Sequence, residues 1–162
     1  MKGQDVLFSK KVTNWLTPIP LFLDLKEAFD LEYDPCADDD NPLPILIHTT
    51  HEYDGLTKTW DYNTFINPPY DNIGAWVDKA VVESQANPDC YYVLLLPSRT
   101  DREWFRTILD KYTILCFVSK RLKFSNSKNN APFPSIIAVL GRSNRAITRK
   151  QRETFEKYGA II

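Results

Sequence analysis

The sequence lacks the features that mark membrane-spanning and secreted proteins. None of its apolar runs approaches the length needed to cross a bilayer, and the opening residues MKGQDVLFSK contain no apolar stretch typical of a secretion signal. We therefore expect a soluble protein of the cytoplasm.

Cysteine and histidine are also scarce. Cys36, Cys90 and Cys116 are an odd number at wide spacing, which favours free thiols over a disulfide framework. The histidines His48 and His51 are separated by three positions, whereas a helical zinc pair is separated by four and needs further ligands nearby. We expect no metal site.

Length and composition indicate a single domain. A chain of 162 residues, 43% of them hydrophobic, is sufficient for one packed core and leaves little for a second. We predict a core over residues 12–141, followed by a basic, helical C-terminal segment over residues 142–162.

The net charge of -1 conceals an uneven distribution of charge along the chain. Carboxylates dominate between Asp24 and Asp61, whereas the later chain carries two basic clusters. The clusters comprise Arg121, Lys123 and Lys128, and then Arg142, Arg145, Arg149, Lys150 and Arg152. Such a chain could bind a small cationic or hydroxyl-rich ligand at one place and a polyanion at another. Two solvated faces of opposite charge explain the pattern equally well.

Short apolar runs alternate with amphipathic stretches, which indicates an α/β fold. A first helix is predicted with Thr17 as its N-cap and Pro18 at its first position. A second should begin after Asp71 or Asn72, and a third after a capping box over residues 100–103. The predicted strands are residues 31–34, 64–66, 91–96, 113–118 and 135–140.

The last two predicted strands are joined without a helix. Their connection, residues 119–134, is polar, basic and rich in Asn, Ser and Pro. We therefore predict a mostly parallel sheet with an antiparallel hairpin at its edge.

Two motifs directly follow predicted strands. In open α/β sheets, ligands bind beyond the carboxyl ends of the strands, and Asp34-Pro35-Cys36-Ala37 and Asn67-Pro68-Pro69-Tyr70 both occupy such ends. The first offers a carboxylate and backbone amides to a ligand that carries an ammonium group and ribose hydroxyls. Asp-Pro is also an ordinary turn starter.

The second motif suits activation of an exocyclic amine. The N6 lone pair of adenine is delocalised into the ring, so the amine becomes nucleophilic only when acceptors hold its two hydrogens. Asn67 supplies a side-chain carbonyl, and Pro68 supplies a backbone carbonyl whose direction the proline pair restricts. Tyr70 supplies a flat face on which an extruded base can stack. The alternative is a surface turn, but a position between a strand and an amphipathic helix favours the catalytic interpretation.

Together these residues resemble the amino-methyltransferases with an Asn-Pro-Pro-Tyr motif, and more closely the small phage-type DNA N6-adenine methyltransferase (Dam) family. The resemblance covers most of the chain and lies in the order of its motifs. These are Trp15-x-Thr17-Pro18, Asp34-Pro35-Cys36-Ala37, Asp54-Gly55-Leu56 with Trp60, Asn67-Pro68-Pro69-Tyr70, Leu94-Leu95-Leu96-Pro97, Trp104-Phe105 and Arg121-Leu122-Lys123-Phe124.

The resemblance implies a single-domain, Rossmann-like fold and transfer of a methyl group from S-adenosylmethionine to N6 of adenine in DNA. It implies no metal, and a location in the host cytoplasm if a phage encodes the chain. By the same resemblance, Trp15, Thr17 and Pro18 touch the methionine part of the methyl donor, with Asn67 beside them. The Asp34-Pro35-Cys36-Ala37 turn is the main donor-binding element.

Further roles are expected for other residues. Asp54 is a candidate for the ribose of the donor, with a plain Asp-Gly turn as its alternative. Phe124 is a candidate for holding the flipped base, with the anchoring of a long loop as its alternative. The cations expected to bind DNA phosphates are Arg121, Lys123, Arg149, Lys150 and Arg152.

One departure from the family pattern lies beside the donor turn. The glycines that usually follow it are replaced by Asp38, Asp39, Asp40 and Asn41. Because glycine permits close backbone approach to a ligand, we expect the details of donor binding to differ here.

Two other functions remain compatible with the sequence. The same motif serves methyltransferases that modify RNA or the glutamine amide of a protein, although the basic later chain favours nucleic acid. A nucleic-acid-binding module that has lost catalysis is the second alternative.

Overall fold

The protein is described by a computed structural model over residues 14–37, 42–49 and 54–162. Its helices are α1 (Ile19–Phe29), α2 (Ile73–Ala86), α3 (Glu103–Lys111) and α4 (Arg149–Glu156), with a short 3₁₀ helix at Gly55–Thr57. Its strands are β1 (Tyr33–Asp34), β2 (Ile47–His48), β3 (Thr64–Ile66), β4 (Tyr92–Pro97), β5 (Ile114–Val118), β6 (Ser135–Leu140) and β7 (Gly159–Ile161).

The strands form a seven-stranded mixed sheet in the order β2-β1-β3-β4-β6-β5-β7. Pairing is parallel from β2 to β4 and antiparallel from β4 to β7. The predicted antiparallel pairing of β5 with β6 is confirmed. The hairpin does not form the edge, however, because β6 inserts between β4 and β5 and β7 is the outermost strand. All six β6 residues are buried, which suits an inner strand.

Helices cover both faces of the sheet. Side chains of β4 alternate between them, with Val93 and Leu95 on the face packed by α1 and α4, and Leu94 and Leu96 on the face packed by α2 and α3. The C-terminal residues join this arrangement, because α4 buries Phe155 completely and β7 pairs with β5. The predicted helix is therefore present in residues 142–162, and it is followed by a strand that the sequence pattern did not indicate.

Two predicted helix caps are wrong. Thr17 precedes the N-cap of α1, which is Pro18, and its hydroxyl is engaged elsewhere. The N-cap of α3 is Arg102, with no side-chain cap, so residues 100–103 do not form a capping box. A complete capping box instead opens α4, where Thr148 and Gln151 bond reciprocally.

The three cysteines are free thiols, as expected. Within residues 14–37, 42–49 and 54–162, no group of three or more His, Cys, Asp or Glu side chains could hold a metal ion. His51, Asp38, Asp39, Asp40 and Asn41, singled out from the sequence, lie outside the described residues. Among the described helices, none is both long and apolar enough to span a membrane.

Candidate active site

The two motifs identified in the sequence meet where the strand order changes direction. Strands β1 and β3 are parallel neighbours, but the chain runs outward from β1 to β2 on one side and from β3 to β4 on the other. Such a switch point, beyond the carboxyl ends of the strands, is the usual place for a ligand in an open α/β sheet. Asp34 ends β1 there, and Asn67 directly follows β3.

A cleft that is partly open to solvent lies at this point. Its walls contain six predicted donor-binding residues and both prolines of the catalytic motif. The lining residues are Asn14, Trp15, Leu16, Thr17, Asp34, Cys36, Ala37, Pro42, Leu43, Asn67, Pro68 and Pro69. Pro18 and Pro35 belong to the same segments but not to this lining.

The side-chain amide of Asn67 is held in one orientation. Its nitrogen donates to the backbone oxygen of Trp15 at 2.5 Å and to the hydroxyl of Thr17 at 2.9 Å. Because the Trp15 carbonyl can only accept, the NH2 group must face it, and the amide oxygen must face the other way. That oxygen, Oδ1, is buried and has no hydrogen-bond partner among the described residues. A buried acceptor without a partner is costly, so its presence indicates a place prepared for a donor from outside the chain.

The Asp34 turn is fixed by hydrogen bonds on both sides. Oδ1 of Asp34 accepts from the backbone amide of Cys36 at 2.9 Å, which makes an Asx turn. Thr49 donates its backbone amide to the Asp34 carbonyl at 3.2 Å and its hydroxyl to the Pro35 carbonyl at 2.7 Å. Asp34 is 4% exposed, so this carboxylate is a largely buried negative charge beside the cleft.

The thiol of Cys36, in the first motif, accepts a hydrogen bond from the Asn67 backbone amide in the second. Burial raises its pKa well above the usual value, and the charge of Asp34 raises it further, while a hydrogen bond from the Asn67 backbone amide opposes both. The thiol therefore stays protonated at neutral pH. It joins the two motifs without adding charge.

Asp54 has a different position from the one expected of a ribose ligand. Its carboxylate accepts from the Leu56 backbone amide at 2.9 Å and caps the 3₁₀ helix, and it does not line the cleft. The neighbouring Gly55 packs so closely on the donor turn that an added Cβ would lie 2.0 Å from the Pro35 carbonyl oxygen. Gly55 in turn accepts from the indole of the fully buried Trp60 at 2.9 Å. The Asp54-Gly55-Leu56 segment and Trp60 therefore support the Asp34 turn without lining the cleft themselves.

Tyr70 belongs to an aromatic cluster that the sequence did not reveal. Its ring centroid lies 5.4 Å from that of Phe133 and 6.5 Å from that of Phe124, in edge-to-face arrangements. Trp15 completes the cluster, at 5.3 Å from Phe124 and 5.2 Å from Phe133. Burial raises the pKa of the Tyr70 phenol, and the Arg99 guanidinium opposes this. The Tyr70 hydroxyl has no hydrogen-bond partner among the described residues.

Phe124 is 1% exposed, so its ring presents no open face to a base in this arrangement. It anchors residues 119–134, which we name the basic loop, against Trp15 and Tyr70. This position agrees with the alternative role given for Phe124, the anchoring of a long loop. Phe133, on the same loop, was missed because no periodic pattern marks a side chain within an irregular connection.

The basic loop lies at the same edge of the sheet as the cleft. It leaves the carboxyl end of β5, returns at the start of the antiparallel β6, and bonds to residues 14–17. Arg121, Lys123 and Lys128 are exposed on it. These cations can therefore face a polyanion that approaches the cleft.

The basic residues of α4 lie at the opposite edge of the sheet. Lys150 pairs with Glu27 at 2.6 Å, and Gln151 donates to the Ala28 carbonyl at 3.3 Å, both at the C-terminal end of α1. The other end of α1 begins beside Thr17 and Asn67, about 16 Å away by the rise of an eleven-residue helix. Arg149 is also paired, with Glu153 at 2.7 Å. The two predicted DNA-binding clusters thus lie far apart.

The sheet, the switch-point cleft and the restrained Asn-Pro-Pro-Tyr motif define an α/β domain with a candidate ligand site at the carboxyl ends of β1 and β3. The chain belongs to the DNA N-6-adenine-methyltransferase (Dam) family, whose model matches residues 7–159. It is therefore an adenine-specific DNA methyltransferase, and the family implies S-adenosylmethionine and DNA as its substrates. A search of curated proteins found no match.

Proposed function

We propose that Asn67 and Pro68 activate the target adenine while Tyr70 stacks on it, in a Rossmann-like methyltransferase domain whose switch-point cleft holds S-adenosylmethionine. The main support is the buried Oδ1 atom of Asn67, which has no partner among the described residues although the amide nitrogen beside it has two. This oxygen accepts one N6 hydrogen of adenine. The Pro68 carbonyl accepts the other.

The chemistry of the cleft fits the methyl donor. A sulfonium and an ammonium group are both cationic, and the cleft offers the buried carboxylate of Asp34 together with the aromatic ring of Trp15. When bound, the donor supplies an electrophilic methyl carbon. Residues 14–17 and the Asp34 turn, which both line the cleft, hold it there.

The reaction is accelerated because the hydrogen-bond acceptors of Asn67 and Pro68 hold the target amine more strongly as positive charge develops on it. As N6 bonds to the methyl carbon and the carbon–sulfur bond breaks, positive charge grows on N6, so the oxygens of Asn67 and Pro68 bind its hydrogens more tightly. Cys36 and Tyr70 do not act as bases near neutral pH, because burial raises the pKa of each. The excess N6 proton leaves to solvent after the transfer.

The basic loop is the proposed DNA-binding element. Arg121 and Lys123 closely precede Phe124 in the chain, and phosphate contacts from these cations would bring a flipped base over Tyr70. In this proposal, Phe124 acts through Tyr70. Its ring packs against the Tyr70 ring and fixes the face on which the base stacks. Arg149, Lys150 and Arg152 remain candidates for contacts with a more distant part of the DNA.

The decisive experiment is Asn67→Ala, with Asn72→Ala as its control. Asn72 lies five positions later and makes no side-chain cap to α2, so its loss should leave activity unchanged. Asn67→Ala should retain donor and DNA affinity but lose methyl transfer by about two to three orders of magnitude, as when a transition-state hydrogen-bonding group is removed elsewhere. Transfer is measured with tritiated S-adenosylmethionine and an adenine-containing duplex.

Robust methylation by a folded Asn67→Ala variant would refute the catalytic assignment. Methylation of RNA in preference to DNA, in the same assay with both acceptors, would contradict DNA as the acceptor, and methylation of protein in preference to both would contradict the proposed role of the basic loop. Asn67→Asp is a useful third variant, since a carboxylate still accepts a hydrogen bond and part of the activity should survive.

A further inference from the structure

The basic loop is tied directly to the segment that orients Asn67. Ser125 donates its backbone amide to the Leu16 carbonyl at 2.8 Å and its hydroxyl to the Thr17 carbonyl at 3.0 Å. Asn126 accepts from the Leu16 backbone amide at 3.0 Å and donates to the Asn14 carbonyl at 2.9 Å. Two consecutive residues of the loop thus make four hydrogen bonds to residues 14–17.

These bonds lead directly to the catalytic amide. Residues 14–17 supply both acceptors of the Asn67 amide nitrogen, the Trp15 carbonyl and the Thr17 hydroxyl. The same residues line the donor cleft. A shift of Ser125 and Asn126 must therefore move the wall of the donor cleft and the groups that aim the Asn67 carbonyl.

Hydrogen bonds make this link together with the packing of Phe124 and Phe133 on Trp15. Ser125 and Asn126 are both exposed, although Phe124 beside them is buried. The two bonds of Asn126 are exposed, so they are open to competition from water when the loop is unsupported. Contacts from the exposed Arg121, Lys123 and Lys128 to DNA phosphates would hold the loop in place.

We propose that Asn126 is a positioning residue that couples DNA binding by the basic loop to donor binding and to the orientation of Asn67. This rests on the proposed function of the loop. DNA that orders the loop strengthens the hold of Asn126 on residues 14–17, so the donor binds more tightly when DNA is present. By thermodynamic reciprocity, the donor tightens DNA binding by the same factor.

The coupling is measured by titrating S-adenosylhomocysteine, which transfers no methyl group, into the full chain with and without an adenine-containing duplex. The ratio of the two dissociation constants is the coupling factor. We expect a factor of about five or more in the wild type, a typical size for coupling between sites. Asn126→Ala should bring the factor close to one, and Asn126→Asp, which can still accept from Leu16 but not donate to Asn14, should give an intermediate value. Asn130→Ala, an exposed residue of the same loop, should behave as wild type.

A merely structural role would lower the melting temperature of Asn126→Ala and leave the coupling factor unchanged, and that result would overturn the proposal. A wild-type factor of one would also overturn it. Both tests use binding alone, so they stand even if Asn67→Ala proves active. If instead the basic-loop cations prove not to bind DNA, the coupling proposed for Asn126 fails as well, whereas the assignment of Asn67, which is tested separately by methyl transfer, does not.

Discussion

The amide nitrogen of Asn67 donates to the backbone carbonyl of Trp15 across a separation of 52 residues. This bond joins the start of the described chain to the end of β3. It makes the direction of the Asn67 side-chain carbonyl depend on a segment remote in sequence, which no local pattern around the Asn-Pro-Pro-Tyr motif reveals.

Thr17→Val should lower the rate of methyl transfer with little change in fold. The substitution keeps the shape of the side chain but removes one of the two acceptors of the Asn67 amide, so we expect a loss of about three- to tenfold, the effect of one ordinary hydrogen bond. Thr17→Ser keeps the oxygen and should restore activity. Thr59→Val, at an exposed threonine bonded to Asp61, is the control. Equal rates for Thr17→Val and wild type under single-turnover conditions would contradict this role.

Asp34→Ala should weaken donor binding at least tenfold, because a lost charge-assisted bond at a buried site costs about 1.5 to 3 kcal/mol. Asp34→Asn separates charge from geometry, since the amide oxygen can still accept from the Cys36 backbone amide. If the Asp34 charge attracts the donor, calorimetry should show weak donor binding for both variants. Only Asp34→Ala should lose the hydrogen bond to the Cys36 backbone amide that forms the turn. Unchanged affinity in a folded Asp34→Ala variant would remove this residue from the donor site.

Gly55→Ala should impair donor binding although Gly55 does not line the cleft. The new Cβ would lie 2.0 Å from the Pro35 carbonyl oxygen, so the donor turn or the 3₁₀ helix must move. Gly74→Ala is a matched control, since its Cβ would meet nothing within 4 Å. That control should raise helix stability by up to about 1 kcal/mol and leave donor affinity unchanged. Calorimetry and thermal melting distinguish the two variants, and wild-type affinity in Gly55→Ala would show that the turn tolerates the shift.

Tyr70→Phe should be much milder than Tyr70→Ala. The hydroxyl is buried without a partner among the described residues, so its removal should leave the free energy of unfolding equal or slightly higher. The ring, which packs on Phe133, is the proposed stacking surface, so its loss should cost about 1 to 3 kcal/mol in the transition state. Steady-state kinetics with a short duplex test this order. An inactive but folded Tyr70→Phe would assign the hydroxyl a direct role.

The two basic clusters should differ in their contribution to salt-dependent DNA binding. We expect the replacement of Arg121, Lys123 and Lys128 by Gln to make the slope of log affinity against log salt less steep. The slope should change by roughly 0.9 for each DNA phosphate that is no longer neutralised. The matched triple replacement of Arg149, Lys150 and Arg152 should have a smaller effect, because two of its members are paired within the chain and all lie at the far edge of the sheet. A larger change in slope for the second triple would place the DNA across α4.

Local pattern was sufficient for the elements that frame the site. The bounds of β3 and β6 match the predicted residues 64–66 and 135–140, because Asn-Pro-Pro stops one strand and a continuous apolar run defines the other. The convergence of Asp34 and Asn67 also followed from sequence, since the carboxyl ends of parallel strands share an edge.

Sequence pattern was insufficient where distant residues determine the contacts of a side chain. Thr17 has a good N-cap side chain, but its hydroxyl bonds to Asn67, 50 residues away. The α4 cations look like a DNA-binding cluster in sequence, yet α4 packs on the end of α1 remote from the cleft. Asp54 has the charge expected of a ribose ligand, but its carboxylate caps the turn of its own segment. Sequence pattern gives no information about these tertiary partners.

The position of β6 in the sheet also constrains how the chain is made. β4 ends at Pro97, but the strand that pairs along its full length begins only at Ser135. During synthesis on the ribosome, β4 therefore emerges with one edge open, and β5, although made earlier than β6, cannot dock until β6 lies between them. An open edge of buried apolar residues readily pairs with other chains. Nascent chains that stall before Ser135 thus carry an aggregation-prone edge, and that edge closes only after β6 has followed the basic loop out of the ribosome.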